Sequence, residues 1–324
     1  MCRVQHMVGT CLVTGATGSL GAALVRLLKD EDLRVLVRDE EAFWERFGYI
    51  DVDVYEGDLC EEEDIDRVID GVDTVFHCAC MPYFHWGDLI GHTRRLIESA
   101  EEEEKVVDIV FPGNVLVYGD VGPGTVREDQ AHEPGTRKGT IRMNVERQLR
   151  EANARGDCRA TIARFPDLYG PDVRSRCMKR IFPAVLDGST VSWPGDIDAE
   201  REFVYVDDAA TGMVRLAESK IAWGKAWHMP GPDTTSAREF IDLAYKEAGT
   251  EPDLRETGGV AISLGDRFTK DAKEEKEIFY MFLRPPILDG TGWRKSFGTP
   301  PPSTPYKDGM RATVQWWKAH NAEN

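Results

Sequence analysis

The chain of 324 residues has no apolar run long enough to cross a membrane, and its first residues lack the apolar core of a secretory signal peptide. Positive charge is also scarce, because 40 Lys and Arg stand against 57 Asp and Glu and leave a net charge of −17. Nucleic acids and anionic membrane surfaces are polyanions, so an acidic protein is poorly suited to bind either. We therefore predict a cytoplasmic protein that acts on a small molecule, with no nucleic-acid or membrane partner.

Cysteine is sparse and shows no pairing pattern. There are seven cysteines, an odd number, at positions 2, 11, 60, 78, 80, 158 and 177. Several fall in predicted strands, which indicates buried thiols in a reducing compartment. Cys78 and Cys80 are separated by one residue and no second pair follows, so their spacing does not fit a zinc site. The sequence therefore predicts no metal.

The most informative stretch is residues 13–21, with the sequence Val-Thr-Gly-Ala-Thr-Gly-Ser-Leu-Gly. It follows a short apolar run that predicts a strand, and it precedes residues 22–30, where leucines recur at helical spacing. A strand, a glycine-rich turn and a helix are the context of a dinucleotide-binding motif. The glycines permit a tight turn and a close approach of the pyrophosphate, and the helix N-terminus offers it unpaired N–H groups.

Apolar runs and amphipathic stretches alternate along the first half of the chain. Strands are predicted at residues 33–37, 52–55, 74–78, 106–111 and 160–164, and helices at 61–70, 89–103 and 140–153. Short strands that are apolar throughout are typical of a parallel sheet covered on both faces. The predicted fold class is therefore α/β, with a Rossmann-type doubly wound parallel sheet.

The alternation becomes irregular beyond residue 171. Helices are predicted at 178–186, near 270–281 and near 307–320, and strands at 203–206 and 226–229. Asp207 and Asp208 would cap the helix that follows the first of these strands. Ser236 and Glu239 fit a capping box that opens a helix through residue 245. We predict a first domain at 8–171, to which 203–232 return, and a smaller C-terminal α/β domain at 172–202 and 233–324.

Several spaced motifs together resemble one family. The pattern TGxxGxxG at residues 14–21 is followed in order by Gly-Asp-Leu at 57–59, Val-Phe-His-Cys-Ala at 75–79, Val-Tyr-Gly at 117–119, residues 164–171 and Arg-Glu-Phe-Val-Tyr-Val-Asp-Asp at 201–208. This series resembles the extended short-chain dehydrogenases/reductases, the NAD-dependent epimerase/dehydratase group, over nearly the whole chain. The resemblance implies an NAD(P)-binding Rossmann domain, a substrate domain, and dimerisation through the helices that begin near Leu89 and Thr140.

The resemblance also implies which residues hold the cofactor. Asp58 and Leu59 would lie by the adenine, and Cys78, Ala79 and Cys80 beside the ribose and nicotinamide. The implied cofactor-binding residues are, in full, Gly15, Thr17, Gly18, Ser19, Leu20, Gly21, Arg38, Asp39, Asp58, Leu59, Cys78, Ala79, Cys80, Pro166 and Leu168.

The choice between NAD and NADP is made at the end of the second strand. An acidic residue there hydrogen-bonds the adenosine ribose and favours NAD, whereas an arginine accommodates a 2′-phosphate. This strand ends in Arg38, followed by Asp39. We predict NADP as the preferred cofactor if Arg38 takes the discriminating position, and NAD if Asp39 does.

The catalytic centre departs from the family pattern. The family has Ser or Thr four residues before the tyrosine of Val-Tyr-Gly, and this chain has Asn114 there. Its Tyr-x-x-x-Lys motif, placed by the following Val145 and Glu146, falls on Lys138 and Arg142. Arg142 could hold the ribose but cannot titrate, and Asn114 could polarise a carbonyl without exchanging protons. A neighbouring cation favours the neutral amine, so Lys138 could exchange a proton.

Other proton donors and substrate contacts are available. Tyr83 and His85 follow the fourth strand, where the family's substrate-contacting loop begins, and both are acid–base candidates. Tyr118 and Tyr169 would form walls of the substrate pocket. Arg201 matches a family position that can meet a substrate phosphate; its alternative role is an ion pair with Asp207 or Asp208.

Three functions remain open at this stage. The first is an NADP-dependent oxidoreductase that acts on a small carbonyl or alcohol with an unusual proton donor. The second is a nucleotide-sugar epimerase or dehydratase with tightly bound NAD, against which the missing tyrosine and lysine count. The third is a cofactor-binding sensor or scaffold that has lost catalysis.

Overall fold

The computed structural model describes residues 9–48, 50–80, 85–257 and 276–320, and the chain forms two compact units. The first unit comprises Met1–Asn114, Ile141–Arg164 and Ala209–Trp227. The second comprises Val115–Thr140, Phe165–Asp208 and His228–Asn324. The chain therefore passes repeatedly between the two units.

Short strands run through the whole chain. They are β1 (Cys11–Thr14), β2 (Leu33–Val37), β3 (Asp53–Glu56), β4 (Thr74–His77), β5 (Asp108–Asn114), β6 (Thr125–Val126), β7 (Arg159–Phe165), β8 (Asp167–Tyr169), β9 (Val191–Pro194), β10 (Phe203–Tyr205), β11 (Ala226–His228), β12 (Leu254–Thr257) and β13 (Ile287–Leu288). A 3-10 turn over Val115–Tyr118 follows β5 directly.

Helices separate most of these strands. They are α1 (Ser19–Leu28), α2 (Glu40–Phe47), α3 (Glu62–Ile69), α4 (Asp88–Glu102), α5 (Arg137–Arg155), α6 (Arg176–Asp187), α7 (Val206–Ala217), α8 (Ala237–Ala248), α9 (Tyr280–Leu283), α10 (Thr291–Phe297) and α11 (Tyr306–His320). Within the described residues, none of them is both long and apolar enough to span a bilayer.

The first unit is built on a seven-stranded sheet in the order β11-β7-β5-β4-β1-β2-β3. β1 pairs in parallel with β2 on one side and with β4 on the other, and β2–β3 and β4–β5 are also parallel. The strand order reverses direction between β1 and β4, which is where ligands bind in such sheets. The predicted doubly wound α/β sheet is confirmed.

Apolar sequence explains why the central strands form. Every residue of β1 and of β4 is buried, since helices cover both faces of the sheet. β2 occupies Leu33–Val37, the range predicted from its apolar run, and the predicted bounds of the other sheet strands are met to within three residues. The sequence analysis missed α2, which Asp39 caps by accepting a hydrogen bond from the Ala42 N–H at 2.9 Å.

The second unit contains three two-stranded parallel sheets, β10-β8, β12-β9 and β13-β6, with α6, α8 and α11 packed together. The capping box of Ser236 and Glu239 is confirmed at the start of α8. The predicted cap at residues 207 and 208 is wrong, because α7 already begins at Val206 and both aspartates lie in its first turn. The carboxylate of Asp208 instead accepts hydrogen bonds from Thr304.

The cysteines divide into two groups. Cys11, Cys78, Cys158 and Cys177 are buried free thiols, as predicted for cysteines in strands and cores. Cys60 and Cys80 are exposed free thiols, against the predicted burial, because each lies in a segment between a strand and a helix.

Candidate functional site

The glycine turn between β1 and α1 leaves no room for side chains. Gly15 has a φ of +70°, and a Cβ there would lie 2.6 Å from the backbone nitrogen of Ala79. A Cβ on Gly21 would lie 2.1 Å from the carbonyl oxygen of Gly15. The Gly18 N–H donates to that same oxygen at 2.9 Å. Glycine is required at positions 15 and 21 because backbone occupies the space of a side chain.

The N-terminus of α1 lies at the end of this turn. The N-cap residue Gly18 has no side chain with which to satisfy the first-turn N–H groups, and Ser19 and Leu20 open the helix. Thr17 is exposed, and its carbonyl oxygen accepts a hydrogen bond from Arg46 of α2. First-turn N–H groups at the positive end of a helix dipole can bind phosphate oxygens.

Arg38 and Asp39 follow β2, and both are exposed. One carboxylate oxygen of Asp39 is engaged in capping α2. The charge of the neighbouring Arg38 helps to lower the pKa of Asp58. Which of the two residues contacts a cofactor stays a prediction.

Asp58 lies in the segment between β3 and α3. Its carboxylate accepts a hydrogen bond from the Cys60 N–H at 2.9 Å, and its own N–H donates to Asp64 at 2.9 Å. Partial burial pushes the pKa of Asp58 upward, but the hydrogen bonds from Cys60 and the charges of His92 and Arg38 hold it below the usual value. Asp58 is thus ionised at neutral pH.

The end of β4 faces the glycine turn. Burial raises the pKa of the Cys78 thiol, so this cysteine stays protonated and unreactive. The Ala79 N–H donates to the hydroxyl of Thr14 at 3.3 Å, and Cys80 is exposed one residue later. Leu59 is buried in the core of the same unit.

A buried histidine, His77, connects the end of β1 to α4, and the sequence had not been interpreted as assigning it a role of its own. His77 places Nδ1 2.9 Å from the hydroxyl of Thr14 and Nε2 3.2 Å from that of Thr93. Burial lowers the pKa of His77 to about 3, so the ring is neutral. The available signal was a histidine in an otherwise apolar strand.

Arg142 lies on α5 with only 8% of its surface exposed. Its guanidinium carbon is 4.7 Å from the ring centre of Trp86 and 5.6 Å from that of Phe111. Nη1 donates to the carbonyl of Pro112 at 3.4 Å, and Nη2 lies 3.9 Å from the sulfur of Cys80. Nε has no hydrogen-bond partner among the residues that the structure describes. Asn114, half-buried, is the last residue of β5 in this unit.

Lys138 belongs to the second unit and is fully buried. Its ammonium donates to Oε2 of Glu277 at 2.8 Å, and its backbone N–H donates to Oε1 of the same residue at 2.6 Å. The sequence analysis missed Glu277, which is 139 residues away along the chain.

The structure describes one of the two acid–base candidates that follow β4. His85 is exposed, and its Nδ1 lies 3.2 Å from the carboxylate of Asp88 at the start of α4. Tyr83 lies outside the described residues.

Tyr118 and Tyr169, the two tyrosines predicted to form walls of the substrate pocket, are buried in the second unit. The Tyr118 hydroxyl is 2.5 Å from Nε2 of His228, and its ring meets that of His132 edge-on with 5.8 Å between the centres. Tyr169 is surrounded by aromatic rings, with centre distances of 5.5, 5.1 and 6.0 Å to Tyr205, Phe240 and Tyr306 respectively.

Arg201 is also buried in the second unit. Its guanidinium carbon lies 4.6 Å from the ring centre of Trp193, and Nη2 donates to the carbonyl of Phe282 at 3.3 Å. The carboxylate of Asp208 accepts hydrogen bonds from Thr304, and the alternative of an ion pair between Arg201 and Asp207 or Asp208 stays a prediction. Leu168 pairs with Val204 in the β10-β8 sheet, and Pro166 directly precedes β8.

Comparison with known proteins places this geometry in a family. The model of the NAD-dependent epimerase/dehydratase family matches residues 11–227. The mouse (Mus musculus) decarboxylating sterol-4-alpha-carboxylate 3-dehydrogenase is 26% identical over 246 residues, which are 71% of this chain and 66% of that protein. The UDP-glucose 4-epimerase of Azospirillum brasilense is 27% identical over 233 residues, which are 63% of this chain and 66% of that protein. The chain thus spans just under two thirds of the length of these relatives.

Solved structures share the fold over almost the full chain. The UDP-glucuronic acid 4-epimerase of Bacillus cereus in complex with NAD has a TM-score of 0.78 at 19% identity, covering 95% of this chain and 98% of that one. The dTDP-glucose 4,6-dehydratase of Streptomyces venezuelae, also with NAD bound, has a TM-score of 0.77 at 20% identity, covering 96% and 98%. The family model matches more than half of the chain and includes the glycine turn, so the chain belongs to the NAD-dependent epimerase/dehydratase family.

Proposed function

We propose that this chain is an NAD(P)-dependent oxidoreductase that interconverts an alcohol and a carbonyl on a small molecule, with a proton donor other than tyrosine. The observation that carries the proposal is the glycine turn, where backbone atoms fill the space of any side chain at Gly15 and Gly21. Such a turn lets a pyrophosphate approach the backbone closely. The turn fits a dinucleotide whether or not the catalytic residues follow the family pattern.

The first unit has the groups that a dinucleotide needs. The first-turn N–H groups of α1 would hold the pyrophosphate, because they lie at the positive end of the helix dipole and the N-cap Gly18 has no side chain to stand between them and a ligand. Asp58 and Leu59 would hold the adenine, and Cys78, Ala79 and Cys80 would lie along the ribose and nicotinamide. When bound, the nicotinamide supplies the hydride acceptor or donor.

Arg142 takes the position of the family's lysine, and its task is binding. A guanidinium stays charged at all accessible pH values, so Arg142 orients a ligand without exchanging a proton. Its Nε is a buried donor without a partner among the described residues, which is costly unless a ligand oxygen accepts from it. We assign to this nitrogen a hydroxyl of the nicotinamide ribose or an oxygen of the substrate.

Asn114 and Lys138 are the candidates for handling the substrate oxygen. The amide of Asn114 can donate a hydrogen bond to a carbonyl oxygen but carries no exchangeable acid. The ammonium of Lys138 has a proton to donate to that oxygen, and it forms an ion pair with Glu277 at 2.8 Å. Lys138 is therefore the proposed proton donor, with Glu277 as the group that positions it.

Nucleotide-sugar epimerisation or dehydration with tightly bound NAD is the second candidate function. It is favoured by a relative and by structural neighbours that are UDP-sugar epimerases. Against it, that cycle needs a base to begin oxidation, and the tyrosine and lysine of the family's Tyr-x-x-x-Lys motif are replaced by Lys138 and Arg142. Three further properties stay predictions. They are the binding of the cofactor by the first unit, the formation of a homodimer and a cytoplasmic location.

Calorimetric titration of the purified protein with NADPH and NADH, followed by mass spectrometry of any co-purified cofactor, tests the proposal. We expect saturable, exchangeable binding, after which a screen of carbonyl substrates identifies the turnover. Tightly retained NAD would support the epimerase or dehydratase function instead. Binding of neither dinucleotide would contradict both.

The Arg38→Ala variant is expected to bind NADPH about 10- to 150-fold more weakly and NADH with unchanged affinity. The reason is that a 2′-phosphate gains a charge-assisted hydrogen bond from arginine, worth about 1.5–3 kcal/mol. Parallel titrations of wild type and variant with the two cofactors measure the effect. Asp39→Asn serves as the matched variant, and an equal loss for both cofactors in Arg38→Ala would refute NADP selectivity.

The Lys138→Met variant is expected to lose about 100-fold or more in turnover while retaining its cofactor affinity, as for removal of a general acid. Arg137→Met is the control, since Arg137 is the exposed neighbour on the same helical turn. Steady-state rates and cofactor titrations on both variants separate chemistry from binding. If Lys138→Met turns over like wild type, Lys138 has no part in proton transfer.

A further inference from the structure

We propose that Asp58, Cys60 and His92 form a binding site for one Zn²⁺ or a similar divalent ion. One ligand atom from each residue lies within 4.8 Å of the other two, and all three residues belong to the first unit. A carboxylate oxygen, a thiolate sulfur and an imidazole nitrogen are the ligand types that Zn²⁺ takes in proteins. The sequence analysis predicted no metal, because it considered only the closely spaced Cys78 and Cys80.

The fold brings these residues together from two separate segments. Asp58 and Cys60 lie between β3 and α3, where the hydrogen bond from the Cys60 N–H to the Asp58 carboxylate fixes the turn. His92 lies on α4, which packs against α3. The Cys60 sulfur and Nε2 of His92 are 3.1 Å apart across a separation of 32 residues.

His92 directs one ring nitrogen at the other two residues. The side chain is 2% exposed, and its Nε2 lies 3.1 Å from the Cys60 sulfur. An imidazole nitrogen is a common zinc ligand, so the buried ring presents Nε2 as the third ligand atom.

The distances allow tetrahedral coordination after a small adjustment. Bonds of about 2.3 Å to sulfur and about 2.0 Å to nitrogen place these two atoms about 3.5 Å apart in a tetrahedral site. The observed 3.1 Å must therefore open slightly, and Cys60 can move because it is exposed. On binding, the Cys60 thiol releases its proton to solvent as the metal–sulfur bond forms, and no atom is oxidised or reduced. Water would complete the fourth position.

Metal titration of the whole protein in the absence of dinucleotide tests this site, because Asp58 is also a proposed contact of the adenine. Chelator-treated protein is titrated with ZnCl₂ by calorimetry and with CoCl₂ by absorption spectroscopy. We expect one ion per chain and a thiolate-to-cobalt charge-transfer band. Cys60→Ser and His92→Asn are each expected to weaken Zn²⁺ binding by about 100-fold and to change the cobalt spectrum, because each removes a bond to the ion.

Two variants provide matched controls. Cys80→Ser removes the other cysteine that is exposed among the described residues, and His85→Gln removes an exposed histidine that contacts Asp88. Both are expected to bind Zn²⁺ like wild type. Absence of saturable binding, or equal binding by wild type and Cys60→Ser, would overturn the proposal. Cys60→Ser decides the matter even if His92→Asn fails to fold, because Cys60 lies on the surface.

Discussion

The Glu146→Ala variant is expected to be destabilised by about 3–5 kcal/mol, the range found when one member of a buried ion pair is removed. Glu146 is 1% exposed, and its two carboxylate oxygens accept from Nε and Nη2 of Arg164 at 3.1 and 2.5 Å. Arg164 is fully buried, so the variant leaves a guanidinium in the core without its carboxylate. Equilibrium unfolding in urea measures the change in the free energy of unfolding.

Two further variants isolate the cause. Glu151→Ala removes an exposed carboxylate on the same helix, 3.9 Å from Arg147, and is expected to change stability very little. The double variant Glu146→Ala, Arg164→Met is expected to recover much of the loss, because no buried charge then remains. A double variant as unstable as the single one would show that the pair acts through packing and not through charge.

The sheet of the first unit could be predicted because burial on both faces leaves a clear mark on the sequence. Strand β2 is an uninterrupted apolar run, and the residues that follow it, Arg38 and Asp39, are polar. A similar mark was absent for α2, of whose residues only Phe43 is buried. Its signal was the capping Asp39 followed by two acidic residues, which the sequence analysis assigned to cofactor choice instead.

Most strands of the small sheets in the second unit could not be predicted, for a different reason. β6 and β13 have two residues each and β8 has three, which is too short for any periodicity to appear. β10 is the exception, because it matches the strand predicted at 203–206. Its pairing with β8 depends on a contact between separate parts of the chain and was not predicted.

For the candidate sites, too, only the local part could be predicted. Lys138 and Arg142 could be proposed by aligning a local motif, because a spacing of four residues on one helix is a property of the chain itself. Contacts from distant parts of the chain could not be proposed in this way. Glu277 approaches Lys138 from 139 residues away, and His92 approaches Cys60 from 32 residues away. A single sequence contains no periodic signal for such tertiary contacts.

The Gly21→Ala variant is expected to lose about 100-fold in dinucleotide affinity, equivalent to about 2.7 kcal/mol. The added Cβ would lie 2.1 Å from the carbonyl oxygen of Gly15 and 2.8 Å from its carbonyl carbon. Both are backbone atoms, so α1 must move away from the turn. Its first-turn N–H groups then no longer face the pyrophosphate, and strain of about 1–3 kcal/mol lowers stability. Fluorescence titration with NADPH and NADH measures the affinity.

Gly91→Ala is the matched control for this substitution. Gly91 lies inside α4, and the nearest atom to an added Cβ, outside its own helix backbone and chain neighbours, is the Arg95 side chain at 3.8 Å. Alanine is favoured over glycine in a helix by up to about 1 kcal/mol, so this variant should be as stable as wild type or more so. It should also bind both cofactors unchanged. If Gly21→Ala also bound the dinucleotides like wild type, the close packing at Gly15 would serve the fold alone, and the proposed function would lose the observation on which it rests.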